Sequence, residues 1–322
     1  MEYKNKKILV TGGTGFIGSY IVNLLIDKGC DVSCLTLNND FDWRIDYKNY
    51  KIDYLNLLNQ EKLNKYIKKI KPDIIFHLAG YVNAERNFKE INRMIDINLK
   101  GTINLLFSLQ NIEYDLFINT GTCEEYGDNS VPFFENQRET PVSPYSASKV
   151  ATTYFCQMIK KIYNKPIVTV RPFLTYGGKQ IARMLIPWLI FSGIENKEVK
   201  LTDGEQTRDF IYVEDVAQAY LSLAEHRDNI INEDIFNIGT GNEIKIKNIV
   251  EIFKSKFDTN KYILGAIKYR KGEAAQFFPS IQKLKEYTNW EPKYTINDGL
   301  KKTIKWYQNN RIIIEKYKKI WK

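Results

Sequence analysis

Histidine and cysteine are scarce, two and four among 322 residues. Cys30, Cys34, Cys123 and Cys156 show neither metal-ligand spacing nor a disulfide framework, so no metal centre and no disulfide scaffold is expected. Long apolar runs are missing too. The longest, Met184 to Phe191, has eight residues and contains Pro187, far too short to span a bilayer. No apolar segment precedes the first strand-like run, since the chain opens Met1-Glu2-Tyr3-Lys4, and a secretory signal is not expected. Internal repeats and low-complexity linkers are absent as well. A cytoplasmic protein is the expectation.

The composition, 43% hydrophobic and 26% charged, suits a soluble globular chain of one large or two modest domains. The net charge of +9 raises the question of nucleic acid. Much of the excess is lysine scattered along amphipathic stretches, such as Lys62, Lys65, Lys68, Lys69 and Lys71, with no nucleic-acid module beside it. A solvated surface is the simpler reading, and neither nucleic acid nor membrane is expected as a partner. The field still favours an anionic small molecule such as a diphosphate. A basic amphipathic helix is expected from about Leu300 to Lys322. Its Ile304, Trp306, Tyr307, Ile312 and Ile313 suit packing on the body of the protein better than a membrane surface.

Thr11-Gly12-Gly13-Thr14-Gly15-Phe16-Ile17-Gly18 is the most informative segment. It follows an apolar strand-like run, Ile8-Leu9-Val10, and opens into a helical pattern that stops at Gly29. Gly12 suits the tight turn, Gly15 the approach of a diphosphate, and Gly18 close packing of helix on strand. Free amides at the helix start would then face phosphates, so a dinucleotide site is expected here.

Strand patterns follow at Lys7–Thr11, Asp31–Thr36, Tyr50–Asp53, Ile74–Leu78, Leu116–Thr120 and Ile167–Val170. Helical patterns lie between them at about 15–28, 60–70, 90–110 and 145–163. The alternation predicts an α/β fold, a doubly wound parallel (Rossmann) sheet of six or seven strands. Past Pro172 the elements shorten. The expected organisation is a dinucleotide-binding domain over 1–172, with a return segment at about 210–238, and a smaller substrate-binding lobe mainly over 173–322.

Ser143-Pro144-Tyr145-Ser146-Ala147-Ser148-Lys149 is the second informative segment. Tyr145 and Lys149, at i and i+4, share one helix face, where the ammonium can assist the phenol as a general acid/base. Tyr3/Lys7 and Tyr47/Lys51 have the same spacing. The third pair stands out by Pro144 at a helix start, small residues between its members, and Thr122 upstream just past a strand.

These motifs, with His77-Leu78-Ala79-Gly80, Asn98 before Gly101-Thr102, Tyr126-Gly127, Arg171-Pro172-Phe173, Tyr176-Gly177, Gly204 through Val216 and Asn237-Ile238-Gly239, run through essentially the whole chain. Together they resemble the extended short-chain dehydrogenase/reductases of the NAD-dependent epimerase/dehydratase family, which act on nucleotide sugars. The resemblance implies Thr122, Tyr145 and Lys149 as catalytic residues. It implies a cofactor site of Gly12, Thr14, Gly15, Phe16, Ile17, Gly18, Thr36, Asp53, Leu78, Ala79, Asn98 and Pro172, with Tyr145 and Lys149 reaching the ribose. Thr122, Cys123, Glu124, Arg208 and Arg270 would meet a nucleotide-diphosphate sugar, the arginines at its phosphates. A homodimer built on a helical bundle is implied as well. Taken singly, His77 reads as a satisfied core histidine, Asp53 as an adenine contact in preference to an ordinary strand-end residue, and Glu124 as substrate-facing or, alternatively, with Glu125 a simple solvated pair.

Three departures refine the expectation. Relatives specific for NAD carry an acid at the end of the second strand, whereas Leu35-Thr36-Leu37-Asn38 has none at Thr36; NADP (NADPH) is favoured, and NAD remains possible. No arginine replaces the acid directly, Arg44 being the nearest. Dehydratases of the glucose type have an acidic pair after the threonine. Here Cys123 takes the first place, and a thiol with an ordinary pKa of about 8.5 is a poor general acid, which disfavours 4,6-dehydration. Finally, Leu264-Gly265-Ala266-Ile267-Lys268-Tyr269-Arg270, with Glu273, is similar to a late segment of the 4-keto-reductases that make CDP-linked dideoxyhexoses such as abequose and paratose. The Thr122–Gly127 stretch also resembles reductases of GDP-4-keto-6-deoxymannose. Reduction of a nucleotide-linked 4-keto-deoxysugar at C4, for a surface polysaccharide, is therefore the leading expectation. A 4-epimerase holding NAD is the alternative, and a 4,6-dehydratase, for which Glu124 remains as a carboxylate after the threonine, is the less favoured one. A dinucleotide-sensing module without catalysis would not need Thr122, Tyr145 and Lys149 together.

Overall fold

The computed structural model describes residues 6–47, 50–83, 85–270 and 272–311. Tyr3 and the stretch containing Ile312 and Ile313 lie outside the described residues. At the centre is a seven-stranded sheet in which every neighbouring pair is parallel. Its strands are β1 (Lys7–Thr11), β2 (Asp31–Thr36), β3 (Ile52–Tyr54), β4 (Ile74–His77), β5 (Leu116–Thr120), β6 (Ile167–Pro172) and a seventh at Ile235–Ile238. From one edge the order is β3, β2, β1, β4, β5, β6, then Ile235–Ile238. The order reverses between β1 and β4, and such a switch point opens a ligand crevice at the carboxyl ends of the strands.

Successive strand residues feed opposite faces. Ile8, Val10, Phe76 and Ile118 join one core cluster, packed under α1 (Phe16–Asp27) and a helix at Val213–Glu225. Leu9, Ile75 and Phe117 join another, together with Leu63 and Ile67 of α2 (Gln60–Ile70). With both faces covered, the strands read as near-continuous apolar runs rather than alternating ones. This is the doubly wound α/β fold that the alternation of elements predicts.

Element boundaries move at a few places. The helix expected over 90–110 is divided into α3 (Ile91–Met94), a π-helical turn at Ile95–Lys100 and α4 (Gly101–Ser108). Hydroxyls intrude there: Thr102 Oγ1 donates to the Asn98 carbonyl at 2.6 Å, and Thr152 Oγ1 at 3.3 Å. Side-chain bonds of this kind compete with the helix ladder, and π-turns often mark functional places. The helix α5 (Pro144–Tyr163) begins on a Ser143 cap reciprocated by Ser146, with Pro144 in the first turn, where its missing N–H costs nothing.

After β6 the chain builds a second core around Tyr176, Leu189, Ile190, Phe253 and Tyr262. Short two-stranded pairs and helices at Leu185–Ile194, Ile246–Phe257 and Ile296–Asn309 surround it. In the last helix Ile304 and Tyr307 are buried. Its Trp306 ring stacks on Trp43, with centroids 6.0 Å apart. Trp43 belongs to the connection after β2, which is tied to the second core again where Lys179 Nζ meets Asp46 Oδ1 at 2.7 Å. Arg44 is buried in this seam and donates to the Thr14 carbonyl at 3.2 Å.

Candidate active site

The Gly12 turn joins β1 to α1 with φ +69°, a conformation that favours glycine. A Cβ at Gly12 would lie 2.7 Å from the Ala79 amide nitrogen, and one at Gly18 would strike the Gly12 carbonyl. The loop therefore lies flush on the β4 end. Beneath it opens a cavity of about 410 Å3, lined on this side by Gly12, Gly15, Phe16, Ile17, Gly18 and Leu78. These residues could hold a dinucleotide diphosphate, since backbone amides at the start of a helix favour phosphate. Thr14, Thr36, Asp53, Ala79 and Asn98 do not line the cavity. Thr14 and Thr36 share a hydroxyl–hydroxyl bond of 2.8 Å, and Asp53 accepts from Tyr66 at 2.9 Å. Asn98 is fully buried and holds the loop after β4, accepting from the Tyr81 amide at 2.8 Å and donating to Ser148 at 3.0 Å.

Thr122, Cys123, Glu124, Tyr145, Lys149 and Pro172 line the same cavity. Thr122 stands at the end of β5 as the cap of a short 3-10 turn, Cys123–Tyr126. Its side chain shares the cavity wall with the Tyr145 phenol in the first turn of α5. Burial raises the Tyr145 pKa and the neighbouring Thr122 hydroxyl opposes that rise. Burial lowers the Lys149 ammonium to about 8, with Glu125 pulling the other way. His77 accompanies the site from behind, buried between the hydroxyls of Thr11 (2.7 Å) and Thr102 (2.8 Å). Burial drives its pKa down to about 3, so it stays neutral and structural.

At the far end, Arg208 and Arg270 converge on Glu273. Arg208 pairs with Glu273 Oε1, and Arg270 Nε donates to Oε2 at 2.9 Å. Neither arginine lines the cavity. Both act electrostatically on Glu124: burial raises that carboxyl, Arg270, Arg208 and Arg86 lower it, and Glu273 raises it further. The Cys123 thiol is pushed up by burial and by Glu124.

Glu124 and Glu125 are not a solvated pair. Glu125 is fully buried, held by Arg171 at 2.8 Å. The sequence carries a signal for it that composition hides, because Thr122-x-x-Glu125 has the spacing of a capping box. Phe173 and Phe210, which belong to family motifs, also line the cavity, as do Thr175, Gln180 and Met184, which carry no local motif that would have marked them. Among the described residues no cluster of His, Cys, Asp and Glu is placed to hold a metal, and no helix is long and apolar enough to cross a membrane.

Comparison with known proteins shows the family and the fold. The chain is 31% identical to a dTDP-glucose 4,6-dehydratase of Haemophilus influenzae, over 94% of this chain and 98% of that one. Its fold matches the UDP-glucuronic acid 4-epimerase of Bacillus cereus, solved with UDP-glucuronic acid and NAD, at 26% identity and a TM-score of 0.86, covering 94% and 99% of the two chains. A UDP-glucose 4-epimerase of Thermotoga maritima, solved with UDP-glucose, aligns at 26% identity and a TM-score of 0.87, covering 95% and 99%. The model of the NAD-dependent epimerase/dehydratase family matches residues 8–239, and the chain belongs to that family of enzymes.

Proposed function

We propose that the protein is a nucleotide-sugar 4-epimerase, inverting the C4 hydroxyl of a sugar carried on a nucleoside diphosphate. The observation that carries this reading is that Tyr145 and Thr122 share one cavity wall, with Lys149 one helical turn from Tyr145 on the same wall. Inversion at C4 needs one group that takes the O4 proton and later returns it, and a tyrosine supported by an ammonium suffices. Loss of water across C5 and C6 needs a further acid and base. Cys123, its thiol raised by burial, is a poor acid there. The similar UDP-sugar epimerases support the substrate class.

A nicotinamide dinucleotide, when bound, supplies the hydride acceptor and donor. Gly12, Gly15, Phe16, Ile17, Gly18, Leu78 and Pro172 would hold it, with Thr14, Thr36, Asp53, Ala79 and Asn98 around its adenosine and ribose ends. Tyr145, ionised to the phenolate, takes the proton from O4 as the alcohol becomes a ketone and, now the neutral phenol, returns it after the sugar has presented its other face. Thr122 hydrogen-bonds the same oxygen as charge develops there. Arg208 and Arg270 anchor the diphosphate by exchanging Glu273 for phosphate oxygens.

One observation favours a second reading, the one-way reduction of a 4-keto sugar by NADPH. Thr36 ends β2 with its hydroxyl on Thr14, so no carboxylate stands at that position to repel a 2′-phosphate. We also assign a homodimer and a cytoplasmic site of action. Phe155, Met158 and Ile162 leave an exposed apolar stripe on α5, and Phe107 of α4 is exposed too.

The experiment incubates the purified protein with UDP-glucose or UDP-glucuronic acid and no added cofactor, and identifies any retained dinucleotide by mass after denaturation. A mixture of C4 epimers with retained NAD is expected. Consumption of added NADPH by a 4-keto sugar nucleotide, without interconversion of alcohols, would replace the epimerase by the reductase. A 4-keto-6-deoxy product would overturn both.

A further inference from the structure

The turn that presents Thr122 is built around a buried charge. Glu125 Oε1 accepts from the Thr122 amide at 2.8 Å. Its other oxygen accepts from Thr153 Oγ1 at 2.9 Å, Arg171 Nε at 3.0 Å and Arg171 Nη2 at 2.8 Å. The side chains of Glu125 and Arg171 are completely buried. Arg171 reaches on to Glu139 and lies over the Tyr126 ring, 4.5 Å from its centroid. A Cβ on Gly121 would strike Glu125 Oε1, so the junction of β5 with the turn is shaped to this carboxylate.

Burying these charges is costly, and apolar packing often serves stability as well or better. A capping box alone requires no buried guanidinium. What the arrangement does provide is a fixed anchor. One oxygen is committed to the Thr122 amide, and the other is clamped to Arg171, which rises from β6 immediately before the cavity residue Pro172. We infer that Glu125 is a positioning residue: clamped by Arg171, it fixes the Thr122 backbone and thereby sets the Thr122 hydroxyl in the cavity wall it shares with Tyr145. The inference rests on the proposed roles of Thr122 and Tyr145.

Glu125→Gln tests it with little change in shape. A carboxylate offers acceptors on both sides, whereas glutamine offers one oxygen and one NH2 group. Its oxygen will go to Arg171, the stronger donor, leaving NH2 against the Thr122 N–H. Two readouts are taken, kcat and KM separately for the nucleotide sugar, and amide hydrogen exchange at Thr122 against that of Phe117–Asn119 in β5. Ile67→Ala, a core change on α2 outside the Glu125–Arg171 network, controls for lost stability.

In Glu125→Gln, kcat is expected to fall at least about tenfold, with KM within about twofold of the parent. The Thr122 amide should exchange faster while the β5 amides stay slow. Ile67→Ala should leave kcat and Thr122 exchange at parental values. If Glu125→Gln does not fold, Glu125→Asp decides, since it keeps the charge beside Arg171 but is one methylene too short to serve both sides. Parental kcat or parental exchange at Thr122 in the folded Glu125 variant overturns the inference. A parent protein that turns over no nucleotide sugar defeats the proposed function instead, and the exchange measurement alone then decides the positioning role.

Discussion

The Lys149 ammonium donates to the Thr120 carbonyl oxygen at 2.7 Å, which ties the first turns of α5 to the carboxyl end of β5. One bond thus registers the helix bearing Tyr145 against the strand that leads to Thr122. It also holds the ammonium where burial lowers its pKa from 10.5 to about 8.

Activity should therefore decline on the alkaline side as Lys149 loses its proton, with kcat/KM half-lost near pH 8. Stability should respond with the opposite sign. Between about 8 and 10.5 the unfolded chain holds the Lys149 proton more tightly than the folded one, so this group's contribution to stability rises with pH across that window. A pH–rate profile and denaturant titrations over the same range check both. A flat kcat/KM up to pH 10 would show that the ammonium is not needed.

Replacing Tyr145 by Phe should lower kcat by roughly 10²–10⁴ while dinucleotide affinity stays within a few-fold, because only the proton-transferring oxygen is removed. Steady-state kinetics combined with fluorescence titration of the dinucleotide separate these effects. Near-parental turnover would mean that another group moves the O4 proton.

Gly12→Ala places a methyl group 2.7 Å from the Ala79 amide nitrogen at a backbone φ of +69°. A cost of about 1–3 kcal/mol is expected, with loss of dinucleotide binding, since the loop must lift off β4. Thermal unfolding with and without dinucleotide measures both; a ligand-induced rise in Tm equal to the parent's would contradict the close-approach argument.

The apolar stripe on α5 predicts a dimer in solution, and Ile162→Glu should shift it toward monomer because a carboxylate would have to be desolvated at the contact. Sedimentation at micromolar concentration reads the outcome. A parent protein that sediments as a monomer removes the stripe as an interface.

The sheet was legible because parallel strands buried on both faces leave unmistakable apolar runs, as at Ile8-Leu9-Val10 and Ile74-Ile75-Phe76. The Gly12 turn and the Tyr145/Lys149 pair were legible because their chemistry is local, spanning one turn or one helical repeat. Asn98 was harder to place. Its family motif marks it for the cofactor, yet its bonds go to Tyr81 and Ser148, contacts that only the folded chain brings together. Glu125 was misread by composition, because two adjacent glutamates suggest solvent, and the arginine that buries one of them is 46 residues away. Arg208 and Arg270 were marked by separate motifs; Glu273 belongs to the second, and only the folded chain brings Arg208 from the first motif onto it.

The seam formed by the connection after β2 constrains how this molecule could be rebuilt. Exchanging the second core for that of another family member, with a splice just after Pro172, would leave Trp43 without Trp306 and Asp46 without Lys179. The same splice would discard Ile235–Ile238, an edge strand of the central sheet, and the helix Val213–Glu225 that covers one of its faces. A workable graft would carry residues 41–46 along with the incoming segment and retain the native strand and helix. Modularity here follows the packing, and the point where the chain crosses between the two cores is a poor place to cut.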